Sequence, residues 1–328
     1  MNIYKSRFFV FLALPACLVT SSWALQNRPV AQRKAFWTSV AKKLGPAVSA
    51  SKGNLISAIH LVGKQVHVGL DLAYDHKPTF VNNVKSRFIL SLEEADDNSD
   101  HSTSSFFVEK MKGRWNAQLL TFQKAYAPHF LQANVARLQN NDLLLGGVLY
   151  EGSNFCNGAV QSFKRSSGGW KMMSEVTTGE IESVEGADPA SPPGKISIIC
   201  RHFSEYFDSP HVGPMKTWLQ TYGVVHDKLR LLSKMPRSTA TNALDDLIGY
   251  ALERDQIRAR TGCKSAAVAN AFLKHTQELE DKALHVEGKT TGNMDKCTQF
   301  ELSPAGLTLE FERIKGKWVL ARITRIPD

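Results

Sequence analysis

The sequence predicts an α+β fold rich in antiparallel hairpins, with a β-rich first domain and a second in which helices precede a sheet. Three observations predict it. Residues 307–324 hold two runs of alternating β-formers meeting at Lys315-Gly316-Lys317, with Trp318 just past the turn. A glycine there supplies the positive φ that a tight hairpin turn needs. The arrangement recurs around Lys112-Gly113-Arg114-Trp115 and, more loosely, around Gly168-Gly169-Trp170 after Lys164 and Arg165. Finally, apolar residues at helical spacing gather near the start of the chain and again after residue 210.

In chain order, Lys5 and Arg7 precede an apolar run over residues 8–20, and Ser22-Trp23-Ala24 offers small residues at a signal-peptidase site. Residues 1–24 therefore read as a secretory signal, too short to span a membrane. The rival reading is a lipoprotein signal, with a lipidated Cys17 at the mature N-terminus. A helix is expected over 32–44, stopped by Gly45-Pro46, and another over 55–62, leading to a strand over 65–72. A strand over 88–92 runs into the polar stretch 93–105, which is too poor in apolar residues to pack. Asp96, Asn98 and Asp100 open like a calcium loop, but His101 and Phe107 stand where glycine and glutamate are required. The continuous apolar run 142–150 suits a buried strand, with Gly146-Gly147 marking a bulge or a close approach. A breaker-dense loop over 182–194 and a strand over 195–200 follow. The domain boundary is placed near Ser209-Pro210, giving domains over 25–209 and 210–328. Helices are expected over 215–233, 243–260 and 265–284 before the closing strands.

The chain of 328 residues carries a net charge of +9, which falls to +7 once Lys5 and Arg7 leave with the signal. In an exported protein that balance favours acidic partners: an acidic protein or an anionic envelope surface. Export and the lack of a basic run or recognition motif argue against nucleic acid. Of five cysteines, four lie beyond the signal: Cys156, Cys200, Cys263 and Cys297. An even number in an exported chain reads as disulfides. Three connectivities exist, and the sequence-local pairs Cys156–Cys200 and Cys263–Cys297 are favoured. No pair has the ligand spacing of a metal site, and no cofactor motif is present.

No motif identifies an activity. Gly288-Lys289-Thr290 imitates the end of a phosphate loop, but Ala283 replaces its first glycine. Ser49 and Lys52 have the Ser-x-x-Lys spacing of penicillin-binding enzymes without the companion elements. Asp71, Asp75 and His76, and separately His202, Glu205 and Asp208, could position proton-transfer pairs, although ten histidines produce such neighbours by chance. His275, on an apolar helix face, reads as a core histidine, and the three hairpin tryptophans as sheet anchors. The least bland feature is the set of cations at the hairpin tips: Lys112, Arg114, Lys164, Arg165, Lys315 and Lys317. Side by side they would make one basic edge; pointing apart they would be ordinary solvated turns.

Residues 158–170 resemble the strand-turn-strand of integrin-type β-propeller repeats over a single hairpin, without the calcium-loop residues of those repeats. Helices followed by strands that end in Phe311-Glu-Arg-Ile-Lys-Gly-Lys-Trp318 resemble the cystatin-like and nuclear-transport-factor-like superfamily over residues 240–326. That resemblance implies a sheet wrapped on a helix and leaves function open. The expectation is an exported, periplasmic or secreted, non-catalytic binding protein, of inhibitor or immunity type. The alternatives are an envelope or cell-wall hydrolase with an unrecognised site and a small-molecule carrier.

Overall fold

The computed structural model describes residues 30–73, 77–94, 103–122, 130–150, 156–178, 183–202, 204, 206, 215–277, 284–289, 297–303 and 305–326. The signal segment with Cys17, the calcium-loop mimic, Asp75, His76, Glu205 and Asp208 lie outside them. The fold is mixed α+β and β-rich, built from antiparallel sheets with a few helices.

Helix α1 (Val30–Ala50) and helix α2 (Leu55–Val66) pack on the first sheet. That sheet comprises β1 (Leu70–Leu72), β2 (Thr79–Phe80), β3 (Arg87–Glu94), β4 (Thr103–Met111) and β5 (Arg114–Phe122), in the order β1-β3-β4-β5 with β2 also on β3. The expected stop at Gly45-Pro46 does not occur: α1 continues to Ala50 with Pro46 inside it. Proline removes one helical hydrogen bond, but Trp37, Val40, Leu44, Ala47 and Val48 on both sides of it are buried against the sheet, and that burial carries the helix through. The valine and leucine side chains among them each contribute about 1.5–3 kcal/mol when fully buried. Gly45 has its own reason: a Cβ there would collide with the Trp115 backbone of β5.

Two four-stranded meanders follow. The second sheet is β6 (Phe130–Gln139), β7 (Asp142–Tyr150), β8 (Cys156–Ser166) and β9 (Gly169–Thr177); the third is β10 (Ser183–Ala187), β11 (Lys195–His202), β12 (Lys216–Val225) and β13 (Lys228–Pro236). Residues 215–233 thus form strands, where a helix was expected. Trp218, Thr221, Tyr222, Val224 and Val225 are β-formers, and His226 and Asp227, with φ of 51° and 61°, make a two-residue turn. Strands β11 and β12, on either side of residue 209, pair from Lys195↔Gly223 to His202↔Lys216.

The three sheets stack face to face. Phe107 and Ile89 of the first meet Leu143, Phe163 and Trp170 of the second. Leu144 and Val160, on the other face of the second, meet Ile196, Ile198 and Tyr222 of the third. Gly146 lies at this second contact, where a Cβ would strike Ile196, so the close approach read from the sequence is met. Beyond the third sheet come α3 (Ala240–Leu252), α4 (Gln256–Thr261) and α5 (Ala266–Gln277). They pack on a fourth meander of β14 (His285–Gly288), β15 (Gln299–Ser303), β16 (Leu307–Ile314) and β17 (Lys317–Arg325).

One device joins successive layers three times: an asparagine side-chain amide that pairs with both backbone groups of a single residue. Asn82, after β2, donates to Leu138 O (2.8 Å) and accepts from Leu138 N (2.9 Å), joining the first sheet to the second. Asn134, the extra residue of a β6 bulge, does the same with Ala187 of the third sheet, at 2.7 and 2.8 Å. Asn242 of α3 does so with Thr217 of β12, both at 2.8 Å, and adds a bond to Arg237 O. Each carboxamide offers a donor and an acceptor, as a neighbouring strand would.

The favoured disulfides are not formed. Cys200, Cys263 and Cys297 are buried free thiols. Layers this extensive bury thiols as small apolar groups: Cys200 packs between the second and third sheets, while Cys263 and Cys297 lie in the core of the fourth. Burial pushes the Cys200 thiol up to about 12 and the Cys263 thiol up to about 11, and raises that of Cys297. Such thiols are poor nucleophiles. Cys156 lies at the start of β8, its backbone opposite Tyr150.

Candidate basic face at the hairpin tips

Each meander ends in a hairpin with a tight turn, and the turns place the charges. Lys112 and Gly113 have φ of 48° and 80°; Lys315 and Gly316 have 49° and 83°. Both central residues of a primed turn need positive φ, so the lysine as well as the glycine takes the left-handed conformation. Just past each turn, an anchor returns to the core. Trp115 packs on Phe88 at 5.6 Å between ring centroids, and Trp170 on Phe107 at 5.1 Å. Trp318, half-buried, packs against the core of the fourth sheet and donates from Nε1 to Ser238 O at 3.3 Å. A fourth hairpin, β12–β13, has Leu229 at the anchor position, 5 % exposed. Without tryptophan or glycine at its turn it escaped the sequence reading. Its signal was the pair His226-Asp227 between runs of β-formers.

The tips of the first three sheets meet. Arg165 of the second donates to Glu109 of the first, approaches Met111 Sδ at 3.9 Å and lies over the Trp170 ring. The Glu109 side chain is 4 % exposed, and Arg87 Nε stands 3.9 Å from its other oxygen. Lys164 Nζ donates to Asp227 of the third sheet at 2.8 Å. This bond raises the Lys164 pKa and lowers that of Asp227. The same end of the stack holds the turn before β3 and the β6–β7 turn: Lys110 N donates to Ser86 O and Arg165 N to Asn141 O, both at 2.9 Å. Lys112, Arg114, Lys164 and Arg165 therefore lie at one end of the stack, with Lys228 of β13 beside the third tip.

Lys315 and Lys317 do not reach it. Trp318, one residue past Lys317, contacts Ser238, just beyond the far end of β13 from its tip. Nine strand residues separate the two places, about 30 Å at ~3.3 Å per residue.

The other sequence candidates are dispersed. Ser49 Oγ lies 3.3 Å from Gly45 O within its own helix, and Lys52 sits at positive φ in the following turn. Lys289 pairs with Glu301, and Asp71 accepts from the Leu72 amide. His202 and His275 are half-buried on β11 and α5. Among the described residues, no group of three or more His, Cys, Asp or Glu could hold a metal ion. A buried carboxylate does occur where the third sheet meets α3: Asp245, 1 % exposed, takes Lys216 Nζ at 2.7 Å and a bond from Ser204. This pairing closes a layer junction rather than opening to solvent. A groove of about 330 Å³ lies where the first strands of the three sheets converge, lined by residues including Lys77, Phe80, Asn83 and Arg137. Arg137 there donates to Pro189 O at 2.7 Å. No helix among the described residues is long and apolar enough to cross a membrane. No protein-family model matches the chain, and no curated protein matches it.

Proposed function

We propose that this chain is an exported, non-catalytic binding protein that presents the tip face of its three stacked sheets to an acidic protein, in the manner of an inhibitor or immunity protein. The observation that carries the reading is the meeting of three hairpin tips, which gathers Lys112, Arg114, Lys164, Arg165 and Lys228 from separate parts of the chain, countered by Glu109 and Asp227. Cations fixed on rigid turns steer an acidic partner and set its register. Export rests on the leader-like residues 1–24.

The test is retention of an acidic partner from envelope and secreted fractions at low and high salt. The double reversal Lys112→Glu/Arg114→Glu is compared with Lys315→Glu/Lys317→Glu at the remote tip. The reading expects salt-sensitive retention, lost with the first pair and kept with the second. Equal effects of both pairs would reduce the tips to a general charge effect.

A further inference from the structure

We infer that the outer strands β9 and β13 form a second surface, distinct from the tips, that docks on an anionic lipid bilayer. The two strands carry the same short pattern at the same height. In β9 it reads Trp170-Lys171-Met172-Met173-Ser174, and in β13 Leu229-Arg230-Leu231-Leu232-Ser233. Each begins with a buried anchor, continues with an exposed cation and then shows two consecutive exposed apolar side chains. Met172, Met173, Leu231 and Leu232 are 40, 41, 51 and 41 % exposed. Local geometry accounts for the doublets. In both hairpins the register slips between the same positions, Ser162/Phe163 opposite β9 and Thr221/Tyr222 opposite β13, so Met173 and Leu232 are each the extra residue of a bulge. A bulge re-aims side chains that a regular strand would alternate.

The doublets are neighbours. Leu229 N donates to Ser174 Oγ at 3.1 Å, and the Lys164–Asp227 pair ties the tips above them. Stacked sheets lie about 10 Å apart, so the two doublets stand about one sheet spacing apart on neighbouring outer strands. Met235, 56 % exposed, extends the second doublet. Around them stand Lys171, Arg230 and Lys234, and residues 228–237 contain no acidic side chain. Lys171 and Arg230 make no ion pair or side-chain hydrogen bond among the described residues.

Charge and shape select the occupant. Exposed apolar side chains with cations beside them match an interface whose outer layer is anionic and whose inner layer is hydrocarbon. The cations are long enough to stay at the headgroups while methionine and leucine enter below them. The groove lined by Lys77, Phe80 and Arg137 lies elsewhere, among the first strands.

The experiment is co-sedimentation of the chain from Leu25 onward, which holds every described element, with vesicles of phosphatidylglycerol and phosphatidylcholine or of phosphatidylcholine alone. Binding is expected only to the anionic vesicles, and less at high salt. Leu231→Ser/Leu232→Ser should weaken it by at least tenfold, and Lys171→Glu/Arg230→Glu by a similar factor. Lys112→Glu/Arg114→Glu, at the tips, should leave it within about twofold. Unchanged far-ultraviolet circular dichroism and melting midpoint would exclude unfolding as the cause in each variant. The inference is overturned by absence of binding to anionic vesicles, by equal binding to both kinds, or by equal loss in the tip variant. It is likewise overturned if the chain self-associates without lipid and the leucine variant abolishes that association, because the patch would then join copies of this chain.

Discussion

The three stacked sheets are fastened differently at their two edges. Along the first-strand edge, neutral asparagine amides pair with single backbone residues, Asn82 with Leu138 and Asn134 with Ala187. At the tips of the last hairpins, the fastenings are ionic, Arg165 with Glu109 and Lys164 with Asp227. An amide pair supplies the two bonds that a backbone position needs and brings no charge to desolvate. An ion pair at a wet tip gains little from its Coulomb energy, because water and salt screen it. The amide edge therefore holds the layers together, and the ionic edge leaves cations where another molecule can meet them.

If that division is right, cost should follow burial along the amide series. Asn242→Ala should be the most damaging: Asn242 is 7 % exposed, and its loss strands the amide of the buried Thr217, while Thr217 O keeps the Arg237 amide and Arg237 O keeps the Thr239 amide. A buried group left without a partner costs about 1–3 kcal/mol, and two further bonds are lost, so a loss of about 2–3 kcal/mol is expected in urea unfolding. Asn134→Ala should cost less, about 1–2 kcal/mol, because the asparagine itself is exposed and water can reach part of the Ala187 edge. Asn82→Ala, at an exposed turn, should stay below about 1 kcal/mol. Equal losses at all three positions would break the comparison, since burial would then not be what sets the strength of the amide pairs.

Glu109 is the intermediate case that sharpens it. Its carboxylate is nearly buried between two arginines that remain partly in water, 33 % exposed for Arg165 and 46 % for Arg87. Glu109→Gln keeps the shape and one hydrogen bond while removing the charge, and Arg165 can rehydrate. A loss of about 1 kcal/mol is expected, smaller than that of Asn242→Ala. A larger loss would make the ionic edge structural after all.

The repeated hairpins were legible because each carries its own signature: a glycine or lysine turn, an anchor tryptophan and alternating β-formers within about fifteen residues. Their association was not legible. Whether Lys112 and Lys164 share a face depends on how sheets stack, and that is decided by non-local contacts such as Phe107 on Trp170. The remote position of Lys315 depends likewise on one contact, Trp318 with Ser238. The helical expectation over 215–233 failed because leucines at 229, 231 and 232 fit a helical face as readily as a bulged strand. The bulge, which breaks strict alternation, removed the evidence for strand. The cysteines misled for a different reason: an even number in an exported chain is a rule about compartment, and it carries no information about whether the fold buries each thiol among apolar layers. Gly146 was readable in part: two adjacent glycines in an apolar run mark a bulge or a close approach, and the contact with Ile196 decides for the second.

The smallest effect is expected at the tip pair of Lys164 and Asp227, and its pH dependence follows from the two shifts. Asp227 is held below its ordinary 3.8 by the Lys164 hydrogen bond, so its contribution is present above that pH and is lost as pH falls through the lowered value. Lys164 is raised above 10.5, so its contribution is complete below 10.5 and is lost as pH rises through the raised value. Between those limits the pair is intact. Both side chains are exposed, 46 % and 63 %, and solvent screening leaves little of the attraction. Lys164→Ala should therefore leave the melting midpoint at pH 7 unchanged within error and flatten no part of the stability profile between pH 5 and pH 9. A clear fall in midpoint would mean that this bridge fastens the second sheet to the third, and the separation between a holding edge and a presenting edge would be lost.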